Sequence, residues 1–190
     1  MGRFANVLII VSCFSFSPGL TQDWLMEYLK GGMSNPNDLV ASLRNEMKKA
    51  IGSKAPSFSF QRIESDSSET LHNYTGRTVI VNLWHTNCSG CRMQLPELSR
   101  LQKEYARRGL SVIYISHENK ETLINFFSKN NTEGVKATMS TKQLSRPYQL
   151  LATPSAFVVD PEGVVREVWI GPEKYEALER HILPYLPTKM

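Results

Sequence analysis

Cys88 and Cys91, three residues apart, are the side chains best suited to chemistry, and His85 stands three residues before the first of them. Thiols at this spacing can close on one another and trade that bond with a second pair of sulfurs. The same spacing is half of a zinc site. His85-x-x-Cys88-x-x-Cys91 offers one imidazole and two thiols, a set that suits Cu(I) or zinc. Placement on the fold decides between exchange and metal carriage.

Upstream lies Thr78-Val79-Ile80-Val81-Asn82-Leu83-Trp84, a β-branched apolar run that predicts one buried strand. Downstream, Leu95, Leu98, Leu101 and Tyr105 recur at helical spacing, and Gly109 closes the segment. The cysteines thus sit where a buried strand ends and a helix begins. Unpaired N–H groups and the positive end of the helix dipole favour a thiolate there. A cysteine so placed drops from a pKa of about 8.5 to between ~3.5 and 7.5. Cys88, at the helix start, is the expected attacking thiol, and Cys91, one turn in, the resolving partner. Arg92 either adds positive potential beside Cys88 or is a solvated helix residue. Pro96, lacking an N–H, is expected to kink the helix.

With 190 residues and a net charge of +4, the chain has room for one domain and an appendage. It carries no dense basic run and no arginine–aromatic interleaving, which argues against a nucleic-acid partner. Residues 1–21 read as a secretory signal: Arg3 supplies charge, Phe4 to Phe16 is mostly apolar, and no acid precedes Asp23. The apolar stretch is shorter than the ~20 residues of a membrane span. Ile10-Val11-Ser12-Cys13 also resembles a bacterial lipoprotein signal, which would leave a lipid anchor at Cys13. Either leader places the protein outside the cytosol, periplasmic or anchored facing the periplasm. Either leader leaves Cys88 and Cys91 as the cysteines free for chemistry, whose loop is too short to staple a fold, so a redox pair is favoured over a structural bond.

Residues 22–54 read as an N-terminal helical extension, with one helix around Asp23–Leu29 and a second over Asp38–Ile51 bearing Leu39, Leu43, Met47 and Ile51 on one face. It is expected to pack on the main domain, with a docking surface for a partner as the alternative. Residues 55–190 form the main domain. There the pattern gives a half-exposed strand at Phe58–Ile63, a loop at Glu64–Glu69, the buried strand before the cysteines, and the cysteine helix. A strand at Leu110–Ile115, a helix at Lys120–Lys129, a short strand at Val135–Met139 and a helix at Thr141–Leu151 follow. Strands at Ala156–Val159 and Val164–Ile170 flank Asp160-Pro161-Glu162-Gly163, a hairpin turn. A last helix is predicted over Pro172–Leu183, with the proline in its first turn. The alternation implies an α/β fold, a central mixed sheet flanked by helices on both faces. His72, His117 and His181 fit surface or capping roles, and Trp24 and Trp169 fit packing roles.

Three places together resemble the thioredoxin superfamily, and within it the TlpA/ResA-like extracytoplasmic thiol–disulfide oxidoreductases. They are Trp84…Cys88-Ser89-Gly90-Cys91, then Leu95-Pro96-Glu97-Leu98, then Thr153-Pro154-Ser155-Ala156-Phe157-Val158-Val159-Asp160-Pro161-Glu162-Gly163. The resemblance spans about Ala55 to Leu186. It implies a thioredoxin-like fold and a cis Pro154 facing the dithiol, and it makes Trp84, Thr153 and Pro154 substrate-binding residues, whose backbone pairs with an extended peptide. It also implies reductant work on protein thiols and disulfides, electrons from a membrane or soluble thiol donor, and no cofactor beyond the Cys88–Cys91 disulfide. The sequence departs from the family at three positions. Asn87 replaces the usual tryptophan, Gly90 the usual proline, and Gln94 a glutamate that handles the proton of the buried thiol. Gln94 cannot titrate, so the acceptor for Cys91 falls to water, His85 or Glu118. A peroxidase of the peroxiredoxin kind would need threonine where His85 stands. The alternative to exchange remains copper or zinc carriage by His85, Cys88 and Cys91, although the copper-handling members of the superfamily resemble a Cys-x-x-x-Cys pattern with a later histidine.

Overall fold

A computed structural model describes residues 36–65, 67–140 and 152–187. The expected leader with Cys13, the helix over Asp23–Leu29, Trp24 and the helix over Thr141–Leu151 lie outside the described residues. Helix α1 (Pro36–Lys48) opens them. Strands β1 (Ser59–Arg62) and β2 (Ser68–Thr70) follow, then a 3-10 turn (Leu71–Tyr74) and β3 (Thr78–Leu83). Next come α2 (Ser89–Tyr105), β4 (Leu110–Ser116), α3 (Lys120–Phe127) and β5 (Val135–Thr138). β6 (Ser155–Val159), β7 (Val165–Ile170) and α4 (Tyr175–Ile182) complete the order.

The strands form one seven-stranded sheet in the order β2-β1-β5-β4-β3-β6-β7. β3 and β5 run parallel to β4, whereas β6 is antiparallel to β3, β7 to β6, and β1 to both β5 and β2. Every residue of β3, β4 and β6 is buried, because helices cover both faces of the centre. Side chains alternate between the two layers, as a period of two requires. Val79, Val81, Leu83, Ile113, Ile115 and Phe157 join Leu43 and Met47 of α1 in one cluster. Ile80, Val112, Tyr114, Ala156 and Val158 face Leu95, Leu98 and Leu101 of α2, Leu123 of α3, and Leu178 and Ile182 of α4 in the other. The second half of the expected extension therefore packs on the main domain.

The structure corrects several element bounds. The polar stretch after β1 is not all loop: Ser68–Thr70 pairs antiparallel with β1 as an edge strand. α1 stops at Lys48, and Ile51, expected on its buried face, is 42 % exposed. α4 begins at Tyr175 after Lys174 in extended backbone, so Pro172 precedes the helix. α2 holds Pro96 within a helix that runs from Ser89 to Tyr105. It then tightens into a 3-10 turn (Ala106–Arg108) closed by left-handed Gly109. Among the described residues no helix is long and apolar enough to cross a membrane.

Candidate active site

β3, an interior strand, delivers the chain to the loop before Cys88, and α2 carries it away. Between them Cys88 is the N-cap of α2, in extended backbone, and its Sγ accepts the Cys91 N–H at 3.1 Å. The Cys88 carbonyl accepts the first helical bond, from Arg92 N at 3.1 Å. A sulfur thus fills the role a hydroxyl or carboxylate usually fills at a helix mouth. Cys88 and Cys91 are joined by a disulfide with Cα atoms 5.1 Å apart. Cys88 is 7 % exposed and Cys91 1 %, so an incoming partner reaches Cys88 first. In the reduced protein the same N–H groups and helix dipole would stabilise a Cys88 thiolate over a Cys91 thiolate.

Across the disulfide stands the segment before β6. The peptide bond between Thr153 and Pro154 is cis. The Thr153 carbonyl oxygen lies 3.7 Å from Cys88 Sγ. Gly90, between the cysteines, lies so close that a Cβ added there would meet Pro154 Cδ and Pro172 Cδ, each at 3.4 Å. The sequence-predicted Thr153 and Pro154 are therefore gathered at the dithiol. Trp84 is not available to a substrate. It is 1 % exposed and packs its ring on Phe126 and Phe127, with centroids 5.0 and 5.2 Å away. Its contribution is to fix the end of β3 from below, because a large apolar ring at that point belongs to the core.

The loop from His85 to Asn87 is tied down from two sides. Glu118, after β4, accepts the Thr86 N–H at 2.8 Å and the Thr86 hydroxyl at 2.6 Å, and also bonds Ser116. Arg92 donates to the Thr86 carbonyl at 3.3 Å. Glu118 and Arg92, singled out as tuning groups, thus act on the loop backbone. The His85 ring stands 6.2 Å from that of His117. Burial, with His117 adding to it and Glu118 opposing, holds the His85 imidazole below its ordinary pKa. It is neutral at neutral pH and can serve as a proton acceptor. Gln94, the fourth tuning candidate, is fully buried and accepts the Glu173 N–H at 3.3 Å. Among the described residues no three His, Cys, Asp or Glu side chains are grouped so as to hold a metal, His85, Cys88 and Cys91 included.

The profile of the AhpC/TSA family matches residues 51–168, which takes in both cysteines and the Thr153–Pro154 segment. The chain belongs to the AhpC/TSA family. Similar proteins include the thioredoxin-like protein YneN of Bacillus subtilis, 26 % identical over 133 residues, or 69 % of this chain and 78 % of the relative. The thiol–disulfide oxidoreductase ResA of Bacillus thuringiensis subsp. konkukian is 25 % identical over 143 residues, 75 % of this chain and 82 % of the relative. Among solved structures, a thioredoxin-family thiol:disulfide interchange protein from Chlorobium tepidum superposes with a TM-score of 0.64 at 26 % identity. The match covers 72 % of this chain and 97 % of that one. This AhpC/TSA member is a thioredoxin-like thiol–disulfide oxidoreductase with the corresponding fold, as the motif resemblance implied.

Sequence reasoning missed the segment between β7 and α4. Gly171 N donates to the Pro154 carbonyl at 2.8 Å, Pro172 faces Gly90, and Glu173 bonds Gln94. No local pattern announces these contacts, since Gln94 and Glu173 stand 79 positions apart. His181, expected at the surface or as a cap, is half-buried and stacked on Trp169.

Proposed function

We propose that Cys88 and Cys91 are the catalytic pair and that the protein works outside the cytosol as a reductant of disulfides in exported proteins. The observation that carries the reading is Cys88 Sγ as the N-cap of α2, more exposed than Cys91 and 3.7 Å from the Thr153 carbonyl. In this reading the Cys88 thiolate attacks one sulfur of the substrate disulfide, and the other substrate sulfur leaves as a thiolate. Cys91 gives up its proton to water or His85 and attacks Cys88 Sγ, which releases the second substrate sulfur. Two electrons pass to the substrate, and the enzyme is left with the Cys88–Cys91 disulfide. The backbone at Thr153 and Pro154 supports docking of an extended peptide beside Cys88. A membrane or soluble thiol donor restores the dithiol. The apolar N-terminal stretch, read as a secretory signal or, with Cys13 as lipid attachment, as a lipoprotein signal, supports the extracytoplasmic placement.

Insulin reduction tests this. Cys88→Ser falls to background, and Cys91→Ser accumulates mixed disulfides that dithiothreitol releases. Exchange retained by Cys88→Ser removes the assignment. Equilibration with glutathione tests direction. A potential near the about −270 mV of thioredoxin supports reductant work, and one near the about −120 mV of a strong oxidant reverses it.

A further inference from the structure

Behind the dithiol, both nitrogens of one imidazole face carboxylates. His181, in the last turn of α4, stacks flat on Trp169 of β7, with centroids 5.0 Å apart and planes 4° apart. Its Nε2 lies 2.8 Å from Glu173 Oε2, and its Nδ1 lies 3.7 Å from Glu167 Oε2. An imidazole donates from both nitrogens only as the cation. The hydrogen bond to Glu173 raises its proton affinity, burial opposes, and the charges of Glu173 and Glu167 prevail over that of Arg180. These are the groups facing the ring from β7, from the segment before α4 and from α4 itself.

Glu173 is also part of the segment that walls the dithiol. The 171–174 stretch touches three of its neighbours: Gly171 N binds the Pro154 carbonyl, Pro172 abuts Gly90, and Glu173 N binds Gln94 Oε1. Gln94 follows Cys91 by three residues, so the two side chains are neighbours on α2. Its amide is half satisfied. Oε1 has Glu173, whereas Nε2 is buried with no partner while the disulfide is closed. Opening the disulfide turns Cys91 Sγ into a free thiol or thiolate that can accept a hydrogen bond. The unpartnered Nε2 is the donor at hand, and turning toward sulfur draws Oε1 away from Glu173 N.

We propose that His181 is a positioning residue for the dithiol, clamping the 171–174 segment through Glu173 so that the redox state of Cys91 and the charge on the imidazole are coupled through Gln94. The coupling rests on the reading of Cys88–Cys91 as the exchanging pair. It is reciprocal: whatever reduction does to proton binding at His181, protonation does to reduction. Since reduction loosens the hold on Glu173, the reduced protein binds the His181 proton less tightly. A new thiolate acting through space would have the opposite sign.

The experiment is a proton NMR titration of the full chain from about pH 5 to 9, oxidised and then reduced with dithiothreitol. His181→Gln identifies the resonance among the four histidines. The expected result is a lower titration midpoint in the reduced protein, a loss of about fivefold or more in proton affinity. In Glu173→Gln, an isosteric change on a half-buried side chain, the difference between redox states disappears. Equal midpoints, a higher midpoint after reduction, or a difference undiminished in Glu173→Gln each overturn the coupling. Failure here leaves insulin reduction by the wild type untouched, whereas failure of the exchange reading shows in the Cys88→Ser assay.

Discussion

Gly90 stands between the two cysteines in the chain, and the rings of Pro154 and Pro172 lie against it. A methyl group there would meet both rings at 3.4 Å, an ordinary contact. Alanine also removes backbone freedom that glycine loses on folding. Gly90→Ala is therefore expected to raise stability by about 0.5–1 kcal/mol in urea unfolding and to keep the insulin-reduction rate. Gly90→Leu would push both proline rings away and slow reduction at unchanged Cys88 exposure; equal rates for the two variants would show that the proline contact does not shape the site. Glu118 acts one residue further out. Glu118→Ala strands the Thr86 N–H and hydroxyl that its carboxylate accepts. The expected loss is about 1–3 kcal/mol of stability, with slower exchange because the loop into Cys88 loosens. Glu118→Gln, which keeps one acceptor oxygen, should fall between alanine and wild type.

At the scale of elements, the hairpin between β6 and β7 sets the distance from Pro154 to Gly171 and so shapes the wall beside the dithiol. Its turn is held by one buried carboxylate: Asp160 accepts the N–H groups of Glu162 and Val164 and pairs with Arg166. Asp160→Ala leaves part-buried donors unmatched and is expected to cost about 1–3 kcal/mol, read as a lower urea midpoint, while Asp160→Asn keeps part of the loss at bay. This turn was legible because Asp-Pro-Glu-Gly carries its own bonds within five residues. The strand, cap and helix around Cys88 were legible for the same reason, since hydrophobic period and helix mouth are local properties. β2 was not, because a three-residue polar edge strand is defined by its partner β1 and has no apolar face to show. The start of α4 was misplaced because Gly171 and Glu173 answer to Pro154 and Gln94, not to the helix they precede. Trp84 was misjudged because an aromatic beside a cysteine reads alike whether it lines a cleft or fills the core.

Across the whole molecule, two histidines, His181 and His85, pull stability in opposite directions with pH. His181 has its proton affinity raised by Glu173 in the fold. Its contribution is fully present below the unfolded value of about 6.5 and is lost as pH rises through the folded value. His85 is lowered, chiefly by burial. It contributes above about 6.5 and that contribution is lost as pH falls through its folded value. Asp160 adds a third limb. Burial raises its pKa, but the Val164 N–H, Arg166 and the Glu162 N–H outweigh burial, and the net shift is downward. Its stabilisation holds above about 3.8 and goes as pH falls through the folded value. Stability measured by urea midpoint should therefore decline on both sides of about pH 6.5. His181→Gln is expected to flatten the alkaline decline and lower the plateau, while His85→Gln flattens the first part of the acid decline and leaves the Asp160 limb in place. If both variants kept the wild-type profile, neither ring would be in the electrostatic environment that the fold gives it, and the clamp behind the dithiol would lose its charge. The arrangement also ties stability to function at one end of the sheet. The segment that His181 holds most firmly at low pH is the one that walls Cys88 and Cys91, so the alkaline loss of stability in the wild type should be accompanied by faster hydrogen exchange at Gly171 and Glu173, and His181→Gln should bring that fast exchange down to acid pH.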